Sequence, residues 1–211
     1  MSRKKLTDFE GVEITKSLKK NIVLERLELE GNELGPKTCI GLAELLKNNQ
    51  SLRVLDLEGN NLTNQGKDVA GFEALCESIK ENENLLCINF TNCCLNEKCG
   101  EFLLSLIYGN ENLISLEIDQ NVKINIEQVR KIQDKIQANK KIYDEERLRE
   151  FCERKLRSHE EEMQNIQHIE HESRKMINEN INVRIEALRQ EKEEKWQKEM
   201  QEDQVSKRYS F

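Results

Sequence analysis

Three groups of residues have types and spacings that could do chemistry. His168 and His171 stand three apart, which would place both imidazoles on one helix face within reach of a shared metal ion. No thiol and no carboxylate set on a second rigid element accompanies them, so a solvated helix face accounts for the pair. Cys93, Cys94 and Cys99 suggest half of a metal knuckle, but the partner pair is missing, and cysteine packing in a core explains them better. The third group is six carboxylates in three pairs: Glu28 and Glu30, Asp56 and Glu58, Glu117 and Asp119. Two readings fit them, a solvated charged face and a docking surface for a basic helix or tail. Aligned like charges repel one another and are complementary to a positive partner. A phosphate-cradling glycine loop, a nucleophile elbow and a His–carboxylate–nucleophile set are all missing, so the expectation is a non-enzyme without cofactor or metal.

The carboxylates are carried by a repeated phrase. Leu52-Arg53-Val54-Leu55-Asp56-Leu57-Glu58-Gly59-Asn60 has leucines at its first, fourth and sixth places and asparagine at its ninth, a short strand followed by a turn. Leu24 to Asn32 copies it, Leu85…Ile88-Asn89-Phe90…Cys93 follows, and Leu113…Leu116-Glu117-Ile118…Asn121 is the fourth. The starts at 24, 52, 85 and 113 are spaced by 28, 33 and 28 residues, the signature of a leucine-rich solenoid. Leucines inside leave the alternating residues on the concave face: Glu28, Asp56, Asn89 and Glu117 in one column, Glu30, Glu58, Thr91 and Asp119 in the next.

Between the strands lie helices. Pro36 opens one that carries Ile40, Leu42, Ala43, Leu45 and Leu46; proline is tolerated there because its missing N–H would have no partner in a first turn. The next carries Phe72, Leu75, Cys76 and Ile79, and the third Phe102, Leu103, Leu106 and Ile107. Five extra residues around 64–71 should bulge from the edge of the second repeat. Residues 1–23 form an N-terminal capping helix or partial repeat, with Phe9, Val12 and Leu18 at helical spacing. After the fourth strand, Val122, Ile124 and Ile126 follow without a proper helix-bearing repeat, so the array is expected to stop at about 124.

Residues 125–205 contain no glycine or proline and are rich in Gln, Glu, Lys, Arg and Ile, which predicts one long charged helix or coiled coil; 206–211 is expected to be a disordered tail. Its apolar positions make a thin stripe whose five- and eight-residue steps break strict heptads, so a homodimeric zipper is not expected. Trp196, alone among Glu193, Glu194, Lys195 and Lys198, fits an anchor in a partner's pocket.

Bulk composition agrees. Residues 1–124 hold 14 Lys/Arg and 20 Asp/Glu, while 125–211 hold 19 and 20, so only the first part can bury a core of its own. The acidity argues against nucleic acid, and no stretch is apolar enough for a membrane span. Seven cysteines and no secretion signal suggest a cytoplasmic protein whose cysteines are small buried residues.

A strand–turn–helix unit of about 28 residues resembles the ribonuclease-inhibitor-like class of leucine-rich repeat over residues 24–121, with Cys93 standing where the turn asparagine is expected. The resemblance implies an α/β solenoid of about four strands with helices on the convex side, followed by a long extended helix. Solenoid plus charged helix, with the run Ile142-Tyr143-Asp144-Glu145-Glu146-Arg147-Leu148-Arg149, is similar to the small leucine-rich-repeat subunits of motile cilia, those of radial spokes and of the nexin–dynein regulatory complex. That likeness implies a structural scaffold of the axoneme, docked through the repeats, with a basic segment on the concave face and helical partners along the tail. An alternative is a soluble adaptor or inhibitor that holds a basic protein on the acidic face. Tropomodulins also join this repeat class to helices, but there the helices precede the repeats, and here the order is reversed.

Overall fold

The computed structural model describes residues 1–208, with side chains described through Met200 except Glu199. Packing divides the chain into two units, Met1–Leu148 and Arg149–Phe211.

In the first unit the repeat grammar becomes layers. Strands β1 (Arg26–Glu28), β2 (Val54–Asp56), β3 (Cys87–Asn89) and β4 (Ser115–Glu117) form one parallel sheet in the order β1-β2-β3-β4. Helices α1 (Asp8–Leu18), α2 (Pro36–Leu46), α3 (Ala70–Glu81) and α4 (Glu97–Gly109) alternate with them, and α5 runs from Ile126 to Arg208. The register is that of the repeated phrase: Leu27 lies beside Leu55, Leu55 beside Ile88, and Ile88 beside Leu116. One residue of slip would turn every inward leucine to the solvent face, so the pattern holds the register.

The core is built of such stacked columns. Leu27, Leu55, Ile88 and Leu116 are buried, as are Leu29, Leu57, Phe90 and Ile118 in the next column and Leu34, Leu62, Leu95 and Ile124 past the turn. Helix residues Cys39, Leu42, Leu46, Phe72, Leu75, Ile79, Leu103 and Ile107 close it from the convex side. Phe72 and Phe90 meet edge to face, with ring centroids 5.2 Å apart.

Polar side chains join the layers as regularly as the leucines do. At three of the four strand–helix turns an asparagine is buried (Asn32, Asn60 and Asn121), and Asn60 Nδ2 donates to the carbonyl of Leu57 in its own repeat (2.8 Å) and of Leu29 in the repeat before (2.9 Å). Asn121 does the same toward Ile118 (2.9 Å) and Phe90 (2.8 Å). Cys93 fills the third place, its thiol on the carbonyl of Leu57 at 3.1 Å. The residue before this position has positive φ in all four repeats: Gly31, Gly59, Asn92 and Gln120. A glycine adopts that conformation without steric cost, which is why the first two repeats read Gly-Asn.

A second asparagine column runs through the opposite turns. Asn49, Asn82, Asn110 and Asn139 are all buried. Asn110 Nδ2 donates to the carbonyls of Ile79 and Asn82 (both 2.9 Å), while its Oδ1 accepts from the N–H groups of Asn112 (2.9 Å) and Leu113 (2.8 Å). Asn139 Nδ2 likewise reaches Asn110 (3.0 Å) and Leu113 (3.1 Å), but its Oδ1 is buried without a partner. The reason is local: at Asn139 the chain stays helical, so no turn follows to offer N–H groups.

This corrects the expected end of the array. The fourth strand does receive a helix, the first turns of α5: Ile132 is fully buried, Val129 and Ile136 pack on the core, and Gln128 Nε2 donates to the Glu97 carbonyl at 3.2 Å. Two further expectations fail for one reason, that helical spacing leaves the inward face ambiguous over a turn or two. Ile40 is 47% exposed and Cys39 takes the inward place; Phe9 is exposed, and α1 packs through Gly11, Ile14 and Thr15 beside the expected Leu18. Of the seven free cysteines, Cys39, Cys76, Cys93 and Cys99 are buried, Cys87 and Cys94 half-buried, and Cys152 exposed.

Helix α1 also caps its neighbour. Gly35 precedes α2 and has no side chain to cap with, so Asp8 supplies both oxygens, accepting from the N–H groups of Gly35 (3.0 Å), Lys37 (3.2 Å) and Thr38 (2.7 Å). Burial pushes the Asp8 carboxyl up, but these bonds and the Thr38 hydroxyl together hold it below the usual aspartate value.

In the second unit α5 continues, its described side chains all exposed. Ser158-His159 and Asn178-Glu179-Asn180, the weakest stretches for helix, do not interrupt it. Helical pairs such as Arg174–Glu170 and Lys195–Glu191, at 3.9 and 4.0 Å, run along it beside the apolar stripe. Ser206–Arg208, expected to be disordered, belong to the helix; 209–211 lie outside the described residues.

Two outcomes follow from the polar joints. Asn110→Ala strands two carbonyls and two N–H groups and should cost about 2–4 kcal/mol in chemical unfolding, whereas Asn139→Ala, with one atom already unpaired, should cost about 1–2 kcal/mol. Equal losses would mean that the asparagines do not act through these bonds. Asp8→Ala should cost about 1 kcal/mol near neutral pH. Because the folded carboxyl is depressed, that contribution is present above the unfolded value of 3.8 and is lost as pH falls through the folded one. The gap between the two melting curves should therefore close in acid.

Candidate protein-docking surface

The side chains that alternate with the inward leucines line the concave face of the sheet. Register places Glu28 beside Asp56, Asp56 beside Asn89, and Asn89 beside Glu117. Two residues on come Glu30, Glu58, Thr91 and Asp119. All six carboxylates singled out by the sequence thus stand on one surface. Trp196 stands on the second unit, on α5, and is 59% exposed.

The field of this face is less uniform than the columns alone suggest. Arg26 Nε donates to Glu28 at 2.6 Å, and Arg3 Nε donates to Glu30 at 3.0 Å. Asn89 Nδ2 donates to Glu58 at 3.1 Å. Sequence reasoning missed both arginines. Arg26 was legible, since it sits two places before Glu28 on the same strand face. Arg3 was not: its Nε reaches Glu30 only because residues 1–6 fold back along β1, where the Arg3 N–H donates to the Glu30 carbonyl at 2.8 Å.

Asp56 is the exception in the row. It is half-buried, its Oδ1 accepts only the Glu58 N–H at 3.0 Å, and no ion pair to it is found among the described residues. Burial raises its carboxyl above the usual aspartate value, and the charges of Glu30, Glu58 and Glu28 raise it further, against the one hydrogen bond. The centre of the concave face therefore holds a carboxylate without an ion pair among the described residues; Arg26, paired with Glu28, acts on it only from a distance. Glu117 and Asp119 lie exposed at the far end. Among the described residues, no group of three or more His, Cys, Asp or Glu side chains is arranged to hold a metal ion. Among the described residues no helix is long and apolar enough to cross a membrane.

No family model matches the sequence, and no curated protein matches it either. Solved structures do resemble the fold. A structure described as leiomodin-1 actin-binding site 2 superposes with a TM-score of 0.60 and 20% identity, covering 72% of this chain and 85% of that one. The tropomodulin C-terminal domain from Caenorhabditis elegans gives a TM-score of 0.59 and 20% identity over 72% of this chain and 87% of that one. The fold is therefore a leucine-rich-repeat-like solenoid followed by a helix. Residues 1–125, all that precede α5, are 125 of 211, about 59% of the chain, so a 72% match takes in part of α5 as well. The reversed element order that set tropomodulins aside is thus no obstacle where fold is concerned. At 20% identity the likeness carries the fold and nothing more.

Asp56→Asn keeps an acceptor for Glu58 and removes the uncompensated charge. A raised folded carboxyl costs stability in full above its folded value; the cost fades as pH falls through that value and is gone below the unfolded value of 3.8. The variant should melt above the parent at pH 7, and the gap should narrow in acid and close below the unfolded value of 3.8. A lower melting temperature at pH 7 would mean that the charge is satisfied in some other way.

Proposed function

We propose that the protein is a non-catalytic structural subunit of a cytoskeletal assembly, holding a basic segment of a neighbouring protein on its concave face. The carrying observation is Asp56: a half-buried carboxylate with no ion pair among the described residues, beside Glu28, Glu30 and Glu58, where burial and these charges raise its carboxyl above the usual aspartate value. An unpaired carboxylate at the centre of a concave sheet is the complement of a lysine or arginine brought by a partner. The exposed Glu117 and Asp119 extend that field toward the far end of the stack, where no cation meets them among the described residues.

On this reading α5 spans neighbours through its exposed apolar stripe, and Trp196 anchors in a partner's pocket. The mixed-charge run from Ile142 to Arg149 supports a place in the axoneme of a motile cilium. An actin-containing assembly is the second reading, favoured by the fold likeness to a structure described as an actin-binding site.

Localisation in its native cell separates these readings: along cilia, along actin filaments, or diffuse with one soluble basic protein, the last of which would favour an adaptor. For the surface itself, Asp56→Lys with Glu58→Lys should leave the melting temperature within a few degrees of the parent, since both side chains are only half-buried. Partner retention should fall by about tenfold or more, as reversing charges in a complementary patch demands. Undiminished retention in a pulldown would remove the acidic face from the argument.

A further inference from the structure

Helix α5 carries an apolar stripe along the second unit, and every described side chain of it is exposed. From Met163 the stripe advances by three, four and four residues, through Ile166, Glu170 and Arg174 to Ile177, Ile181 and Ile185. Ile166, Ile177 and Leu188 therefore stand eleven apart. Eleven residues make about three turns, so the stripe runs nearly parallel to the helix axis. The steps that break a heptad zipper fit this longer period. A helix so polar gains no burial by itself and needs a partner along the stripe.

Two charges interrupt the stripe at its middle, Glu170 and Arg174, which meet within the helix at 3.9 Å. We propose that residues 149–193 of α5 pair with the same segment of a second copy, antiparallel about a twofold axis at position 172. Each residue then faces the one equally far beyond the axis on the other copy. Glu170 faces Arg174, and symmetry repeats the pair, so four charges alternate in sign around the axis. Met163 faces Ile181 and Leu156 faces Leu188, apolar on apolar. His159 facing Ile185 and Cys152 facing Lys192 are the layers of mixed character.

The flanks of the stripe are self-complementary in the same register. On one flank Lys155 comes beside Glu191 of the other copy, and Glu162 beside Arg184. On the other, Glu153 comes beside Arg189 and Arg149 beside Glu193. All four pairs are opposite in sign, and each occurs twice by symmetry. Of these eight residues, among the described residues, Glu191 alone has an ion pair within its own helix, to Lys195 at 4.0 Å. A parallel pair would instead stack Glu170, Arg174 and Lys192 each on its own copy and bring Arg184 beside Arg189. Charges inside an interface act chiefly on register and direction, and here they select the antiparallel one.

The test follows the full chain by sedimentation equilibrium from about 1 to 100 μM. It should pass from monomer to dimer over that range. Arg174→Glu sets like charges opposite each other at the axis and should weaken the dimer about tenfold or more. Glu170→Arg with Arg174→Glu restores the alternation and should recover it. Under mild oxidation Lys192→Cys should give a dimer bridged from Cys152 to the introduced thiol, located by peptide mapping. In the parent the two Cys152 thiols lie about 60 Å apart along the pair and should form no bridge. A monomer at every concentration would overturn the proposal. So would a Cys152–Cys152 bridge, which marks a parallel pair, or a dimer indifferent to Arg174→Glu. The proposal rests on the reading of α5 as the element that spans neighbours, and names the neighbour. Asp56→Lys with Glu58→Lys should dimerise as the parent does, so failure of the dimer and failure of the concave-face reading are separate results.

Discussion

Every layer of the solenoid hangs on the side chain of a buried asparagine. A repeat that turns from strand to helix and back must bury backbone groups that no ladder satisfies. An asparagine at all but one of these turns offers two donors and an acceptor in one small side chain. Asn60 and Asn121 tie their own turn to the preceding one; Asn82 and Asn110 do so on the opposite side and also take the N–H groups that begin the next strand. Because each donor reaches one repeat back, the joints fix the order and spacing of the layers. The leucine columns then fill what the joints enclose. Cys93 shows the tolerance of the scheme. Burial drives its thiol to about 12, so it stays protonated and still faces the Leu57 carbonyl.

The same joints explain where the array ends. Asn139 makes the backward half of the joint and lacks the forward half, since helix α5 continues where a turn would start a fifth strand. The unpaired Oδ1 is the mark of that change in rule. Ile142 stands three residues on, the interval from Asn110 to Leu113, but Glu145 and Arg147 follow where inward apolar residues would be needed. The charged positions cannot enter a core, and the chain stays helical.

A rigid stack turns a periodic sequence into aligned columns, and alignment concentrates charge. Glu28 and Glu30 are answered by Arg26 and Arg3, while Asp56 is left with its neighbours' repulsion. The acidic character that composition spreads over residues 1–124 is thus focused at the middle and far end of one face. At the other end of the stack the missing layer leaves Leu24 half-buried and Ile22 and Val23 exposed instead. The two surfaces differ in kind, one electrostatic and one hydrophobic, and each follows from what the neighbouring repeat does or does not cover.

The period, the strand register and the six concave carboxylates were legible in the sequence, because a side-chain alternation of two and a repeat of 28 leave one arrangement that buries the leucines. Helix faces were less legible. The choice between Cys39 and Ile40, or between Phe9 and Ile14, depends on which way a short helix is rotated, and only contact with its neighbours sets that. The role of Asn82 and Asn110 as joints was hidden, since an asparagine at a helix end looks like a terminator until the previous repeat's carbonyls lie beside it. Arg3 and the helix of the fourth repeat were hidden for the same reason: their partners are 27 or more residues away in the chain. The sequence by itself determined the repeat, its register and which residues face outward, all of which follow from local periodicity. Tertiary structure decided which charges are neutralised, which asparagine lacks a partner and which end of the stack is open, because those depend on groups brought together only by folding.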